Sequence, residues 1–162
     1  MKEILVTEEG YTQFYEKLEK LKIDRLNNAK SISKACNDAV GDGWHDNPAY
    51  EEAMRHSRMI EDNIQRMLYE QNNLKIVSSC EKKKDRVDIG DILIVKLKYS
   101  DNSEDVERIK LTGKYMPNTD LNEISLNSPI GKAIYKKKIG DICSYSVNGV
   151  TISIIIQQKI EA

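Results

Sequence analysis

Gly41-Asp42-Gly43-Trp44-His45-Asp46-Asn47-Pro48 lies between two long stretches of helical periodicity, and its reading decides the fold. Two glycines suit the end of one helix, while Asn47 and Pro48 suit the N-cap and first position of the next. The chain therefore reverses direction here, at the far end of an antiparallel hairpin. A fold gains nothing from unpaired carboxylates at such a point. A protein that must carry negative charge, or a metal ligand, into a narrow place does gain from them.

On the N-terminal side, Thr7 is a fair N-cap with Glu8 and Glu9 in the first turn, where they complement the helix dipole. The stripe that follows runs Tyr11, Phe14, Leu18, Leu21, Arg25, Asn28, Ile32, Ala35, Ala39. Arg25 and Asn28 break it, and Leu26 and Ala29 can replace them if the stripe drifts around the helix. On the C-terminal side the stripe is Tyr50, Ala53, Ser57, Ile60, Ile64, Met67, Gln71, Leu74. Two such helices form a hairpin with a coiled-coil seam. Residues 12–40 reach roughly 40 Å at about 1.5 Å per residue, so most of the hairpin must project into solvent or a partner. Residues 1–77 are expected to form this domain, with 41–47 as its tip loop.

Ser78 to Asp85 is polar and reads as a linker, after which the period changes to two. Ile92–Tyr99, Val106–Tyr115, Ile142–Val147 and Val150–Ile156 are expected strands, the last two joined by the hairpin signal Asn148-Gly149. Ser128-Pro129 opens a short helix over residues 129–135. Residues 78–162 thus read as a small antiparallel sheet domain with one short helix, and the whole chain as α+β. No internal repeat is expected.

Composition narrows the function classes. A formal net charge of -1 excludes a globally basic nucleic-acid binder. Cys36, Cys80 and Cys143 are an odd, widely spaced set with no Cys-x-x-Cys, which argues against a disulfide framework or structural zinc. They fit a reducing compartment, and with no apolar run of transmembrane length the expected location is the cytoplasm, without a membrane partner.

The candidate chemistry gathers near the tip. Asp42 and Asp46 are hard oxygen donors of the kind that Mg²⁺ takes, though a lone tip is no preformed cage and both also suit ordinary turns. They become useful where a partner already holds a metal that activates a water at a phosphodiester. His45 matches no standard metal motif. Trp44, the sole Trp, either caps the hairpin or enters a partner. Lys30, Lys34, Arg55 and Arg58 can form a basic collar suited to steering a nucleic-acid strand, or a solvated charged face with Glu51–Arg55 as an i,i+4 pair. Lys82–Lys84 and Lys136–Lys138 read by default as solvated surface.

Three stretches together carry a family resemblance. Leu5 to Lys22, the tip with Asp46-Asn47-Pro48-Ala49-Tyr50, and Asn127-Ser128-Pro129-Ile130-Gly131-Lys132-Ala133 followed by Lys138-Ile139-Gly140-Asp141 resemble the Gre family of bacterial transcript-cleavage factors. The resemblance spans nearly the whole chain, in order. It implies an N-terminal coiled-coil hairpin and an FKBP-like C-terminal domain. It also implies RNA polymerase as partner: the C-terminal domain docks at the mouth of the secondary channel, the hairpin enters, and the tip acids help the polymerase's own Mg²⁺ cleave the 3′ end of backtracked RNA. Carried over, Asp42 and Asp46 match the two tip acids, with Trp44, His45 and Asn47 as tip contacts. Ser128, Pro129, Ile130 and Gly131 lie in the docking segment. The free protein is expected to be a monomer with no metal or cofactor of its own, and no enzyme in itself.

This tip departs from the family pattern. Three residues separate its acids where the family usually has two, and the second acid is Asp in place of Glu. An inhibitory or regulatory channel-binding factor is therefore the alternative. A prolyl isomerase or chaperone is a remote third reading, resting on the FKBP-like resemblance and on Tyr99, Tyr115, Tyr135 and Tyr145.

Overall fold

The computed structural model describes residues 3–37, 47–78 and 85–160. They group into two units, Phe14–Asn73, and Lys2–Gln13 together with Leu74–Ala162. This division differs from the expected domains 1–77 and 78–162. The reason is a strand pairing that joins the two ends of the helical region. Strand β1 (Ile4–Val6) pairs in parallel with β2 (Leu74–Ile76), and Leu5 and Thr7 bond to Asn127 and Gly113, so the N-terminal segment groups with the sheet unit.

The first unit holds most of α1 (Glu8–Asn37) and all of α2 (Pro48–Gln71). At about 1.5 Å per residue, the 30 residues of α1 span about 45 Å. The helices are antiparallel, because side-chain links climb one as they descend the other. Tyr15 Oη accepts from Gln71, Arg25 faces Glu61 at 3.4 Å, Asn28 reaches Ala53 and His56, and Asn47 reaches Ala35. The buried seam comprises Phe14, Leu18, Ala53, Ile60, Ile64 and Met67, with the polar Asn28 among them.

Asn28 settles the question left by the broken stripe. It is 7% exposed, whereas Leu26 is 62% exposed and Ala29 is also exposed. The stripe does not drift. Asn28 is tolerated inside because its Nδ2 donates to the Ala53 carbonyl at 2.9 Å and its Oδ1 lies 3.2 Å from His56 Nδ1. A single polar residue in such a seam fixes register at a cost in stability.

The second unit is built on a five-stranded sheet in the order β5-β4-β3-β7-β6. Its strands are β3 (Ile92–Lys98), β4 (Glu104–Thr112), β5 (Glu123–Ser125), β6 (Ile142–Val147) and β7 (Val150–Ile160), with helix α3 at Pro129–Ile134. Residues alternate across β3, so Leu93, Val95 and Leu97 face a core with Ile109, Leu111, Ile134, Ile154 and Ile156. Asn148 and Gly149, at φ 52° and 81°, make the tight turn expected from their sequence. The α+β expectation is met. The sheet is mixed, however, because β5 runs parallel to β4.

A local repeat, not expected from the sequence, emerges at the entry to two strands. Ile89-Gly90-Asp91-Ile92 and Ile139-Gly140-Asp141-Ile142 are identical tetrapeptides. In each turn the aspartate Oδ2 accepts from the backbone N–H three residues earlier, at 2.8 Å. Gly90 N–H donates to Leu111 O and Leu111 N–H to Asp91 O. Gly140 N–H donates to Ile156 O and Ile156 N–H to Asp141 O. The glycines take φ of 88° and 91°, in the left-handed region. One short code therefore starts both the β3–β4 and the β6–β7 hairpins.

The loop between β4 and β5 closes on a buried carboxylate. The Glu123 side chain is 1% exposed. Its Oε2 accepts from Asn118 N–H at 3.0 Å, and its Oε1 accepts from Lys114 and Lys110 at 3.2 and 3.4 Å. The Asn118 amide, acting against burial and helped by Lys114 and Lys110, holds the carboxyl below the usual carboxylate range. Lys114 shifts the opposite way. Its hydrogen bond to Glu123 raises its pKa, against desolvation, and Glu9 at 3.6 Å adds to the rise.

Candidate functional site

The tip is described only at its exit. Asp42, Trp44, His45 and Asp46 lie outside the described residues. Asn47 is described, and its side chain is used within the chain. Oδ1 accepts from Tyr50 N–H at 3.1 Å, capping α2, and Nδ2 donates to Ala35 O at 2.9 Å. The residue expected as a tip contact therefore staples the start of α2 to the last turns of α1. Pro48 follows at the first turn, where no backbone donor is needed.

The four basic candidates divide between the helices. Arg55 and Arg58 share a groove of about 460 Å³ on α2 with Tyr50, Glu51 and Met54. Arg55 also stands 4.0 Å from Glu51 and 3.8 Å from Glu52, exposed pairs that cost little to exchange for a phosphate. Lys30 and Lys34 are exposed one turn apart on α1. Each helix thus carries its own basic pair on the half that leads in sequence to residues 41–47. Among the described residues no cluster of three His, Cys, Asp or Glu side chains is placed to hold a metal, and the tip carboxylates are not in that set.

The Ser128–Gly131 segment separates into two framework residues and two that retain exposed surface, one fully and one in part. Ser128 Oγ accepts from Gly131 N–H at 3.0 Å and donates to Ser125 O at 2.7 Å, which caps α3. Gly131 is buried, and a Cβ there would meet Ser125 O at 2.1 Å, so only glycine fits. Pro129 is exposed and Ile130 is half-buried against the core. Two residues build the turn, and two are presented by it.

Asn127 stands in the sequence only as the first residue of the Asn127–Ala133 stretch, with no role of its own. Its Oδ1 accepts from Leu5 N–H at 2.9 Å and its Nδ2 donates to Leu5 O at 2.7 Å. No local pattern signals a bond across 122 positions. Of the four tyrosines, Tyr99, Tyr135 and Tyr145 pack against the hydrophobic core. Burial, with Asp105 and Glu107 nearby, pushes the Tyr99 phenol above its ordinary value.

Comparison with known proteins bears on the same regions. Residues 81–158 match the family model described as transcription elongation factor, GreA/GreB, C-term. The chain is 35% identical over 147 residues to transcription elongation factor GreA of Thermoanaerobacter pseudethanolicus, covering 90% of each chain. It is 33% identical over 156 residues to that of Caldanaerobacter subterraneus, covering 96% of each. Among solved structures it is similar to GreA factor homolog 1 of Thermus thermophilus, at 19% identity and a TM-score of 0.43, over 99% of this chain and 100% of that one.

Proposed function

The chain belongs to the GreA/GreB family of transcription elongation factors, and we propose that it acts by placing its hairpin tip in the secondary channel of RNA polymerase. The observation that carries this reading is the pairing of α1 and α2 as long antiparallel helices whose connecting sequence holds Asp42 and Asp46. Between two such helices the acids fall where the chain must reverse.

In this reading Pro129 and Ile130 contact the polymerase, and Arg55, Arg58, Lys30 and Lys34 steer the RNA 3′ end by its phosphates. Asp42 and Asp46 then stand at a metal that the polymerase supplies. Two carboxylates are a donor set a hard cation accepts; when bound, Mg²⁺ lowers the pKa of water and stabilises the leaving oxygen. The chain's part is to orient those carboxylates, which Asn47 assists by fixing the exit of the tip to α1. The protein is then a cofactor to another enzyme's active site and works as a monomer.

The test is RNA 3′-end cleavage in purified, backtracked polymerase complexes with Mg²⁺. Wild type is expected to accelerate cleavage, and the Asp42→Ala/Asp46→Ala variant to lose that acceleration while still binding. Equal stimulation by the variant would refute the tip chemistry. A second reading rests on Gly43, Trp44 and His45 between the acids, one residue more than the family pattern. A tip so altered can occupy the channel and slow intrinsic cleavage, which the same assay reads as a rate below that of polymerase alone.

A further inference from the structure

We infer that Asn127 is a positioning residue for polymerase docking, locking the presented pair Pro129–Ile130 to the N-terminal strand β1. This rests on the reading of Ser128–Gly131 as the docking segment.

The remaining ties of this turn are short in sequence or run to β4. Leu126 N–H donates to Thr112 O, Asn127 N–H to Ser125 Oγ, and Ser128 N–H to Ser125 O. Asn127 alone among them reaches the chain's N-terminal strand. Its amide makes both hydrogen bonds that a neighbouring strand would make to Leu5, one accepted and one donated. β2 pairs with β1 in parallel, and Val77 N–H donates to Val6 O. The side chain thus stands in for a strand and satisfies backbone groups that would otherwise go unpaired.

The strand held in this way leads into α1. Thr7 N–H donates to Gly113 O and Thr7 Oγ1 accepts from Gly10 N–H at the first turn. One side chain therefore ties the segment that presents Pro129 and Ile130 to the segment that begins α1. Removing it frees the turn to sample other positions for Pro129, and a docking surface that must be ordered on binding binds more weakly.

The experiment uses the full chain with Asn127→Ala, Asn127→Asp and Ile130→Asp. Three quantities are read: Leu5 amide hydrogen exchange by NMR, affinity for core RNA polymerase, and the RNA cleavage rate at saturating factor. Asn127→Ala is expected to speed Leu5 exchange about tenfold or more while β7 amides keep their protection. It is expected to weaken polymerase binding roughly tenfold, on the scale of two lost hydrogen bonds, and to leave the saturated rate within about twofold of wild type. Asn127→Asp keeps an acceptor for Leu5 N–H but sets a carboxylate oxygen against Leu5 O, so its affinity should fall at least as far as that of Asn127→Ala. Faster Leu5 exchange with unchanged affinity in Asn127→Ala, alongside weakened binding by Ile130→Asp, would overturn the inference and leave the docking reading standing. Wild-type affinity in Ile130→Asp would overturn the docking reading itself.

Discussion

Replacing Glu123 with Gln keeps the size of the side chain and removes its charge from a place where the charge is fully used. In the native structure two oxygens serve three donors: Asn118 N–H on one side, and Lys110 and Lys114 on the other. Glutamine has one oxygen. Whichever way its amide turns, an NH₂ group faces either a backbone N–H or two ammonium groups. A hydrogen bond to a charged group is worth about 1.5–3 kcal/mol. The lysines are partly exposed, at 42% and 25%, so their share is discounted for solvent screening. The expected loss is about 2 kcal/mol at pH 7, or roughly 4–8 °C in Tm for a chain of this size. The folded-state pKa of Glu123 is lowered, so its stabilisation is complete above the unfolded value of about 4.3. It is lost as pH falls through the depressed folded value. Gln does not titrate, and the gap between the two proteins should close in that acid range. Urea titrations followed by far-UV circular dichroism at pH 7 and at stepwise lower pH give both quantities. Equal midpoints and slopes at pH 7, or a gap that persists unchanged into acid, would refute the assignment of Glu123 as the ionised tie of the β4–β5 loop.

Three further substitutions probe the elements that position the site. Gly10→Ala adds a Cβ 2.2 Å from the Gly113 carbonyl. It should lower stability by about 1–3 kcal/mol in a thermal melt, although alanine favours a helix by about 1 kcal/mol over glycine; a stabilised variant would show that the contact is loose. Asn47→Ala removes the cap of α2 and its bond to Ala35 and should cost about 1–2 kcal/mol in the urea midpoint, with loss of helical ellipticity. Leu26→Glu should change the midpoint by no more than about 0.5 kcal/mol, because the side chain already faces solvent. A loss of several kcal/mol there would mean that the seam drifts after all.

The hairpin was legible because its signals are local. Thr7, Asn47 and Pro48 are caps by residue type, and the apolar stripes of both helices repeat at helical spacing. The Asn148-Gly149 turn and the alternating strands were legible for the same reason. The break at Asn28 could not be resolved from the sequence, since whether an amide can be buried depends on which groups the other helix brings opposite it. The Ile-Gly-Asp-Ile repeat was present in the sequence, but four residues carry meaning only when each glycine is seen to bond to a neighbouring strand.

The sequence by itself determined the helices, most of the strands, and the placing of two acids where the chain reverses, because periodicity, capping and turn preference act over a few residues. The tertiary structure decided which residues hold those pieces in place. Glu123 became a buried ion only when β5 lay parallel to β4 and brought it under Lys110 and Lys114. Asn127 became a surrogate strand only when β1 arrived from the far end of the chain. Both are polar side chains that local pattern assigns to the surface; their burial and bonding follow from partners distant in sequence, and the long-range packing that supplies those partners leaves no periodic trace.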